Sequence, residues 1–291
     1  MAKKSDLGPH GVVVIDKPAG WTSHDVVAKS RGVLGTRRVG HSGTLDPDAT
    51  GVLVLGVGKA TRLLRFLTEL GKSYVGEIAF GTETTTLDAG GEVTATHDMS
   101  AITDDQVRAA VEDLTGPIMQ IPPMVSAVKV DGKRLHQLAR EGKEVERQPR
   151  PVTVHRFDIE PTSEPGVWRA DVDCSSGTYI RTLAADIGTA LGGGAHLRSL
   201  RRTAVGGFTL DQAGRIEEPT LLPIAAAVAH LPQCVVDDEV AVAVGHGRIL
   251  PLDAFGAEGE GPWAVLAESG DLLAVYELHR SGAKPSVVIP Q

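Results

Sequence analysis

The sequence predicts an α+β protein whose main sheet is mixed and largely antiparallel. Short β-branched apolar runs follow isolated helical stretches in no regular strand–helix–strand repeat. A length of 291 residues fits one large domain or two unequal ones. We expect a main domain over residues 10–230. Because the last stretch is acidic and rich in strand-like runs, we also expect a small β-rich domain over residues 231–291.

The first third of the chain predicts three strands and two helices after a disordered tail at residues 1–9. The strands are the apolar, β-branched runs at residues 12–15, 52–55 and 74–80. A capped helix begins at Ser23, and a second one covers residues 61–70, where Gly71 ends the apolar spacing. Residues 84–100 are small and polar and predict a loop.

The next part carries a basic insertion between a helix and a pair of strands. Thr103 and Gln106 form a capping box that opens a helix to about residue 114. The insertion covers about residues 122–150, with a strand, an Asp131-Gly132 turn and a short helix ending at Gly142. Strands near residues 152–159 and 168–174 follow, and then helices over residues 179–191 and 221–229.

Composition excludes several classes of protein. No stretch approaches the roughly 18 apolar residues of a membrane span. The N-terminus lacks the apolar segment of a signal peptide, so export is not expected. Cys174 and Cys234 are far apart and form no CxxC pair, which favours buried apolar side chains over a disulfide or a metal site. We therefore expect a soluble protein of the cytoplasm that does not bind membranes.

The charge distribution leaves nucleic-acid binding open although the net charge is −8. Residues 1–72 hold eleven Lys/Arg and six Asp/Glu, so the acidic excess lies in the rest of the chain. Basic clusters occur at residues 31–38, 62–72, 129–150 and 198–202. Each cluster alone is most simply a solvated surface, whereas several around one cleft would grip a polyanion.

Asp46 is the most informative candidate for chemistry. It is followed by Pro47, which disfavours helical geometry at Asp46, and Gly43 and Gly51 bound the stretch before a buried strand. Asp46 should therefore lie on a stiff loop beside the sheet, where functional groups are often held. The simpler interpretation is an Asp that caps its own turn.

Two enzyme classes fit the sequence poorly. Gly56-Val-Gly-Lys-Ala-Thr61 follows a strand and precedes a helix, but a P-loop needs Ser or Thr after the lysine and an earlier glycine. The ten histidines show no HExxH or other paired-ligand spacing, so a metal-dependent hydrolase is not indicated. We expect neither a metal nor a nucleotide cofactor.

Five motifs, in order over residues 11–210, resemble those of the TruB family of pseudouridine synthases. They are Lys17-Pro-Ala-Gly-Trp-Thr-Ser23, His41-Ser-Gly-Thr-Leu-Asp-Pro47, the basic stretch at residues 126–140, Gly177-Thr-Tyr-Ile-Arg181, and Leu200-Arg-Arg-Thr203 with Phe208. The resemblance implies conversion of uridine 55 in the T arm of tRNA to pseudouridine, without a cofactor. It also implies that residues 10–230 form the synthase domain and that the C-terminal domain is PUA-like.

The resemblance also implies roles for seven residues. Asp46 would be the catalytic carboxylate, Arg181 its cationic partner, and Tyr74 would pack on the flipped base and help to move its C5 proton. Tyr179 and Leu200 match positions of the pocket wall. His41 matches a histidine that enters the space left by the loop bases, and Lys17 would support the Asp46 loop.

Several questions stay open at this point. The route at Asp46 can be attack on the sugar, attack on the base, or removal of a sugar proton. Asp48 and His136 depart from the usual family pattern, and an inward-facing Asp48 would raise the pKa of Asp46. A non-catalytic tRNA-binding protein is the remaining alternative, although the presence of Asp46, Tyr74 and Arg181 disfavours it. We expect a monomer whose partner is the T-arm stem-loop.

Overall fold

The computed structural model describes residues 8–126, 129–130, 132–135, 138, 141–143, 145–280 and 282–290. The tail predicted at residues 1–9 and the helix predicted to end at Gly142 fall largely outside these residues, as does His136. The strands, in chain order, are β1 (Gly11–Lys17), β2 (Val39–His41), β3 (Thr50–Val57), β4 (Lys72–Phe80), β5 (Thr82–Thr84), β6 (Val93–Thr96), β7 (Gly116–Gln120), β8 (Lys129–Val130), β9 (Lys133–Arg134), β10 (Arg150–Pro161), β11 (Val167–Cys174), β12 (Ala195–Val205), β13 (Phe208–Thr209), β14 (Gln233–Val236), β15 (Leu250–Pro251), β16 (Trp263–Ala267), β17 (Leu272–His279) and β18 (Gly282–Val288).

The main sheet has nine strands, and its order confirms the predicted fold class. The path runs β1-β3-β12-β4-β11-β10-β7, with β2 beside β3 and β13 beside β12. All of these pairs are antiparallel except β12 with β3, where Arg201 and Arg202 pair with Thr50 and Gly51. The sheet is therefore mixed and largely antiparallel.

Five α-helices lie in the described part of the chain: α1 (Ser23–Val33), α2 (Leu64–Thr68), α3 (Asp104–Asp113), α4 (Ile180–Ala190) and α5 (Asp238–Gly245). Capping boxes at Thr22 and Thr103 begin α1 and α3. The helix predicted over residues 61–70 is shorter, because Gly58–Leu63 is a 3-10 helix and only α2 is α-helical. The helix predicted over residues 221–229 is a 3-10 helix, Ile224–Val228.

Two sequence expectations about strands were incomplete. The segment predicted as a loop at residues 84–100 contains β6, which pairs with β5. Strand β12 was not predicted at all, because its three arginines make it look like a solvated stretch. It lies between β3 and β4 and thereby joins the two parts of the chain that hold Asp46 and Tyr74.

A second, five-stranded sheet confirms the β-rich C-terminal domain. Its order is β14-β16-β17-β18-β15, and Trp263, Tyr276 and Phe255 pack together within it. Its likeness to a PUA domain remains a prediction. Among the described residues, no helix is long and apolar enough to cross a membrane. Cys174 and Cys234 are buried and free, as the sequence predicted.

The two sheets share one hydrophobic core. Val12, Val54 and Phe66 of the main domain cluster with Leu266 and Leu272 of the second sheet. Cations from the segment at residues 58–68 complete the contact: Lys59 Nζ donates to Pro290 O at 2.5 Å, Arg62 donates to Val288 O, and Arg65 pairs with Glu277. Arg62 and Arg65 therefore bind the C-terminal domain in this structure.

Replacement of Leu272 by Ala should destabilise the whole protein. Leu272 is 3% exposed in the shared core, and loss of a buried Leu side chain costs about 2–5 kcal/mol of unfolding free energy. Chemical denaturation followed by both circular dichroism and tryptophan fluorescence should show one transition at a lower midpoint. The matched control is Leu278→Ala on the same strand, which is 49% exposed and should change stability little. Two separate transitions would contradict a shared core.

Candidate active site

The ammonium group of Lys17 holds the loop that carries Asp46 in place. Lys17 is fully buried, and its Nζ donates to Pro18 O at 2.9 Å, to Trp21 O at 2.6 Å and to Pro47 O at 2.8 Å. These three bonds use every N–H of the group. Burial lowers the pKa of Lys17 to about 8, against the opposing influence of Asp48 and Asp46. The geometry fits a support for the loop.

Helix α1 fixes the same loop from its other side. Leu45 N donates to Ser23 Oγ at 2.8 Å, and Ser23 Oγ donates to Leu45 O at 3.2 Å. Ser23 is the first residue of α1 and is fully buried. Leu45, which precedes Asp46, is therefore hydrogen-bonded through both its N–H and its C=O. These bonds limit the positions that the Asp46 carboxylate can take.

Arg202 on β12 ties the loop to the sheet, and sequence reasoning had assigned it no role. It is 1% exposed, and its guanidinium donates to Val52 O at 2.7 Å, Gly43 O at 3.3 Å and Thr44 O at 3.4 Å. Its charge also acts to lower the pKa of Tyr74, against the larger effect of burial. The close pairing needs a glycine at Gly51, since a Cβ there would lie 2.1 Å from Arg202 O and φ is +100°.

Arg181 at the start of α4 faces Asp46. Its Nε lies 3.1 Å from Asp46 Oδ2 and its Nη2 lies 3.4 Å from Asp46 Oδ1, a two-point pair. Its Nη1 lies 3.2 Å from Asp88 Oδ2 and donates to Thr86 O at 3.0 Å, while Nη2 also donates to Val125 O at 2.8 Å. The guanidinium thus donates three hydrogen bonds, to Thr86 O, Asp46 Oδ1 and Val125 O, and it forms ion pairs with both carboxylates.

Asp88 also contacts Arg181, and no sequence pattern indicated this contact. It lies in the segment predicted as a featureless loop, and its Oδ1 accepts from Thr86 Oγ1 at 2.6 Å and from Gly90 N at 3.1 Å. Leu87 before it has a φ of +62°, which a residue with a branched side chain rarely adopts. Such a turn places both Thr86 O and the Asp88 carboxylate on Arg181.

The surroundings of Asp46 act on its pKa in opposite directions. Burial raises the pKa of Asp46, the charge of Arg181 lowers it, and Asp88 raises it. The Asp48 side chain is exposed and does not face inward, but its charge still slightly raises the pKa of Asp46. The Asp46 side chain keeps 42% of its surface accessible, whereas that of Arg181 keeps 5%. The carboxylate is thus open to a substrate while its cation is not.

Most of the predicted site residues line one pocket of about 390 Å³ beside Asp46 and Arg181. The lining includes Tyr74, Tyr179 and Leu200. Tyr179 is fixed by its backbone, since its N donates to Gln120 Oε1 at 2.7 Å and its O accepts from Gln120 Nε2 at 3.1 Å. Burial raises the pKa of both tyrosines, so each phenol is neutral at pH 7.

Lys72 also lines this pocket, although the sequence placed it in a surface cluster. It is 8% exposed, and its Nζ donates to Thr68 O and Leu70 O, each at 2.6 Å. Burial lowers the pKa of Lys72 to about 8, and the charge of Arg202 acts in the same direction. The pocket therefore combines a carboxylate with neutral phenols and buried cations.

His41 lies at the edge of the site and outside the pocket lining. Its ring packs edge-on against His24 of α1, with centroids 5.2 Å apart, and its Nδ1 accepts from Gly43 N at 3.3 Å. Burial lowers the pKa of His41, so the ring is neutral at pH 7. Its predicted contact with RNA remains a prediction.

This arrangement suits covalent or acid–base catalysis by one carboxylate. Arg181 favours the ionised form of Asp46, and the burial of its guanidinium strengthens that pairing. Among the described residues, no group of three or more His, Cys, Asp or Glu is placed to hold a metal ion.

Comparison with known proteins identifies the family. A model described as "TruB family pseudouridylate synthase (N terminal domain)" matches residues 31–180, and one described as "tRNA pseudouridylate synthase B C-terminal domain" matches residues 181–231. The chain is 46% identical to tRNA pseudouridine synthase B of Arthrobacter sp. (strain FB24), with 96% of each chain covered. It is 48% identical to tRNA pseudouridine synthase B of Rhodococcus jostii (strain RHA1), with 98% of this chain and 95% of that one covered.

A solved structure shows the same fold. The match is to a chain from a Cbf5–Nop10–Gar1 complex, with 27% identity, a TM-score of 0.71, and 96% of this chain and 84% of that chain covered. Fold, site and sequence matches together define an isomerase that converts uridine to pseudouridine in tRNA. The chain belongs to the TruB family of pseudouridylate synthases.

Replacement of Asp88 by Asn should shift the pH dependence of the reaction. Asp88 repels the ionised form of Asp46 and shares Arg181 with it, so its neutralisation should lower the pKa of Asp46. A carboxylate acts as a nucleophile or base only in its ionised form, so with Asp46 in that role the acid limb of kcat/KM should move to lower pH. The rate at neutral pH should still fall, by about 10- to 100-fold, since Arg181 loses a charged anchor.

Asp48→Asn is the matched control for that change. Asp48 is exposed and only adds a small upward effect on the pKa of Asp46. We expect a slight shift of the acid limb in the same direction and a nearly unchanged rate. A full rate and an unshifted acid limb in Asp88→Asn would contradict the assigned electrostatic role.

Proposed function

We propose that the protein isomerises the uridine at position 55, in the T-arm loop of tRNA, with Asp46 as the catalytic carboxylate. The observation that carries this proposal is the two-point pairing of Arg181 with Asp46 at the wall of a nucleoside-sized pocket. The full-length similarity to relatives named tRNA pseudouridine synthase B supports the substrate. We further propose that it acts as a monomer in the cytoplasm.

The reaction breaks two bonds and forms two. The C1′–N1 glycosidic bond of uridine is cleaved, the uracil turns and C1′ bonds to C5. The C5 proton then leaves, and N1 gains a proton, either the same one or one from solvent. The product is an isomer of the substrate, so the step needs no oxidant, reductant or nucleotide. Asp46 can take part by attacking the sugar, by attacking the base, or by removing a sugar proton.

The remaining pocket residues would hold the base during this rearrangement. A uridine inside a folded loop must leave its stack to reach Asp46. Tyr74 would pack on the flipped uracil and help to move the C5 proton, and the charge of Arg202 acts on its phenol. Tyr179 and Leu200 would form the walls, Lys17 would support the loop, and His41 would fill the space that the base has left.

Asp46→Asn should abolish pseudouridine formation while the affinity for a T-arm stem-loop stays within a few-fold of wild type. The exchange preserves the shape of the side chain and removes only its ability to act as nucleophile or base. Turnover is measured by release of the C5 hydrogen, and affinity is measured on product RNA. Conversion of uridine by a folded Asp46→Asn protein at more than trace rate would refute the role of Asp46.

Activity should survive complete chelation and removal of nucleotides. No step of the isomerisation requires a metal or a phosphoanhydride. A prefolded T-arm stem-loop is the proper substrate, because Mg²⁺ otherwise affects the folding of tRNA. Chelator-sensitive activity on this RNA, restored by one specific metal ion, would contradict the prediction.

A further inference from the structure

Two of the four basic clusters in the sequence are occupied within the protein. Arg62 and Arg65 bind the C-terminal domain, as described above. In the cluster at residues 198–202, Arg198 pairs with Glu164, and Arg201 Nη2 lies 2.7 Å from Asp16 Oδ2. Arg202 is buried beneath the Asp46 loop. These side chains already have acceptors, so they are poorly placed to bind phosphates.

The cluster at residues 31–38 has a different environment. Lys29 and Arg31 lie on the solvent face of α1, and Arg37 lies in the turn that follows; all three are exposed. Arg31 Nη2 donates to Val39 O at 3.1 Å, so the candidates for phosphate binding here are Lys29 and Arg37. Within the described part of the chain, neither Lys29 nor Arg37 has a carboxylate at ion-pair distance. The sequence between Asp25 and Asp46 contains no acid at all. This surface, which we name the α1 track, is basic on a protein whose net charge is −8.

The α1 track leads away from the active site. Helix α1 begins at Ser23, which is bonded to Leu45 of the catalytic loop. Its 11 residues span about 16 Å at the usual rise. A duplex carries a phosphate roughly every 3 Å of axis on each strand, so several phosphates fall within this length. Helix α1 thus starts at the loop that carries Asp46 and is long enough to span several phosphates of one strand.

The surface is also open to a bulky partner. Ala28 and Gly32 lie on the exposed side of α1, and a Cβ added at Gly32 or Gly35 would meet nothing within 4 Å. Cations at the end of a helix also stabilise its dipole, which accounts for Arg31 in the last turn. That effect fades within one turn and does not account for Arg37.

We propose that the α1 track binds the phosphate backbone of the RNA stem that carries the target uridine. This inference rests on the proposed function, because it takes the T-arm as the RNA. Lys29 and Arg37 would each neutralise a phosphate and release a counterion. Asp25, one turn before Lys29, accepts hydrogen bonds from Thr22, and the lack of acidic residues between Asp25 and Asp46 would favour the approach of the polyanion.

The test compares the salt dependence of RNA binding in two variants of equal net charge. One carries Lys29→Gln and Arg37→Gln. The other carries Arg108→Gln and Arg169→Gln, which remove two exposed cations from α3 and β11. The probe is a T-arm stem-loop already containing pseudouridine at the target position, so that no turnover occurs. Circular dichroism melting confirms that each variant is folded.

The first variant should bind more weakly, and its log–log salt slope should be smaller than that of wild type by about 1.4–1.8, from roughly 0.7–0.9 for each lost phosphate contact. The second variant should keep the wild-type slope. An unchanged slope in the first variant, or an equal loss in both, would overturn the α1 track as the binding surface. Wild-type protein that neither binds this RNA nor modifies its uridine form would instead overturn the proposed function, and the track with it.

Discussion

The candidate active site depends on the buried guanidinium of Arg181. It connects four separate parts of the chain: the Asp46 loop, the turn with Thr86 and Asp88, Val125 in the insertion, and its own helix α4. A buried guanidinium needs compensating partners, and here Arg181 has two carboxylates beside it and donates three hydrogen bonds. These contacts hold the four parts of the chain together at Arg181, and they fix the position of Asp46.

Three further buried cations serve the same loop or the wall beside it. Lys17 and Arg202 donate to backbone carbonyls of the loop and its flanks, and Lys72 donates to carbonyls after α2. Charged donors hold carbonyls more strongly than neutral ones do, so the loop is rigid without a regular secondary structure. A rigid loop suits catalysis, because a carboxylate fixed before the substrate arrives needs little reorganisation in the transition state.

The cations of this protein fall into two groups: those that bind acceptors within the protein and those that face solvent. Those on β12 and at residues 58–68 bind carboxylates or carbonyls and hold the two domains and the central strand together. Those on α1 and in the turn after it face solvent. An acidic protein can accordingly present a basic surface to RNA on one side, because many of its carboxylates are already paired elsewhere.

The sequence by itself determined the local features and the family. Pro47 predicted the loop at Asp46, the capping boxes at Thr22 and Thr103 began helices where expected, and five ordered motifs carried the family resemblance. These signals depend on neighbours along the chain. Tertiary structure decided the rest: Asp46 and Arg181 are 135 positions apart, Asp88 joins them from a segment that looked like an ordinary loop, and β12 is central despite its arginines. Which charges meet depends on strand order, and strand order is set by packing over the whole chain.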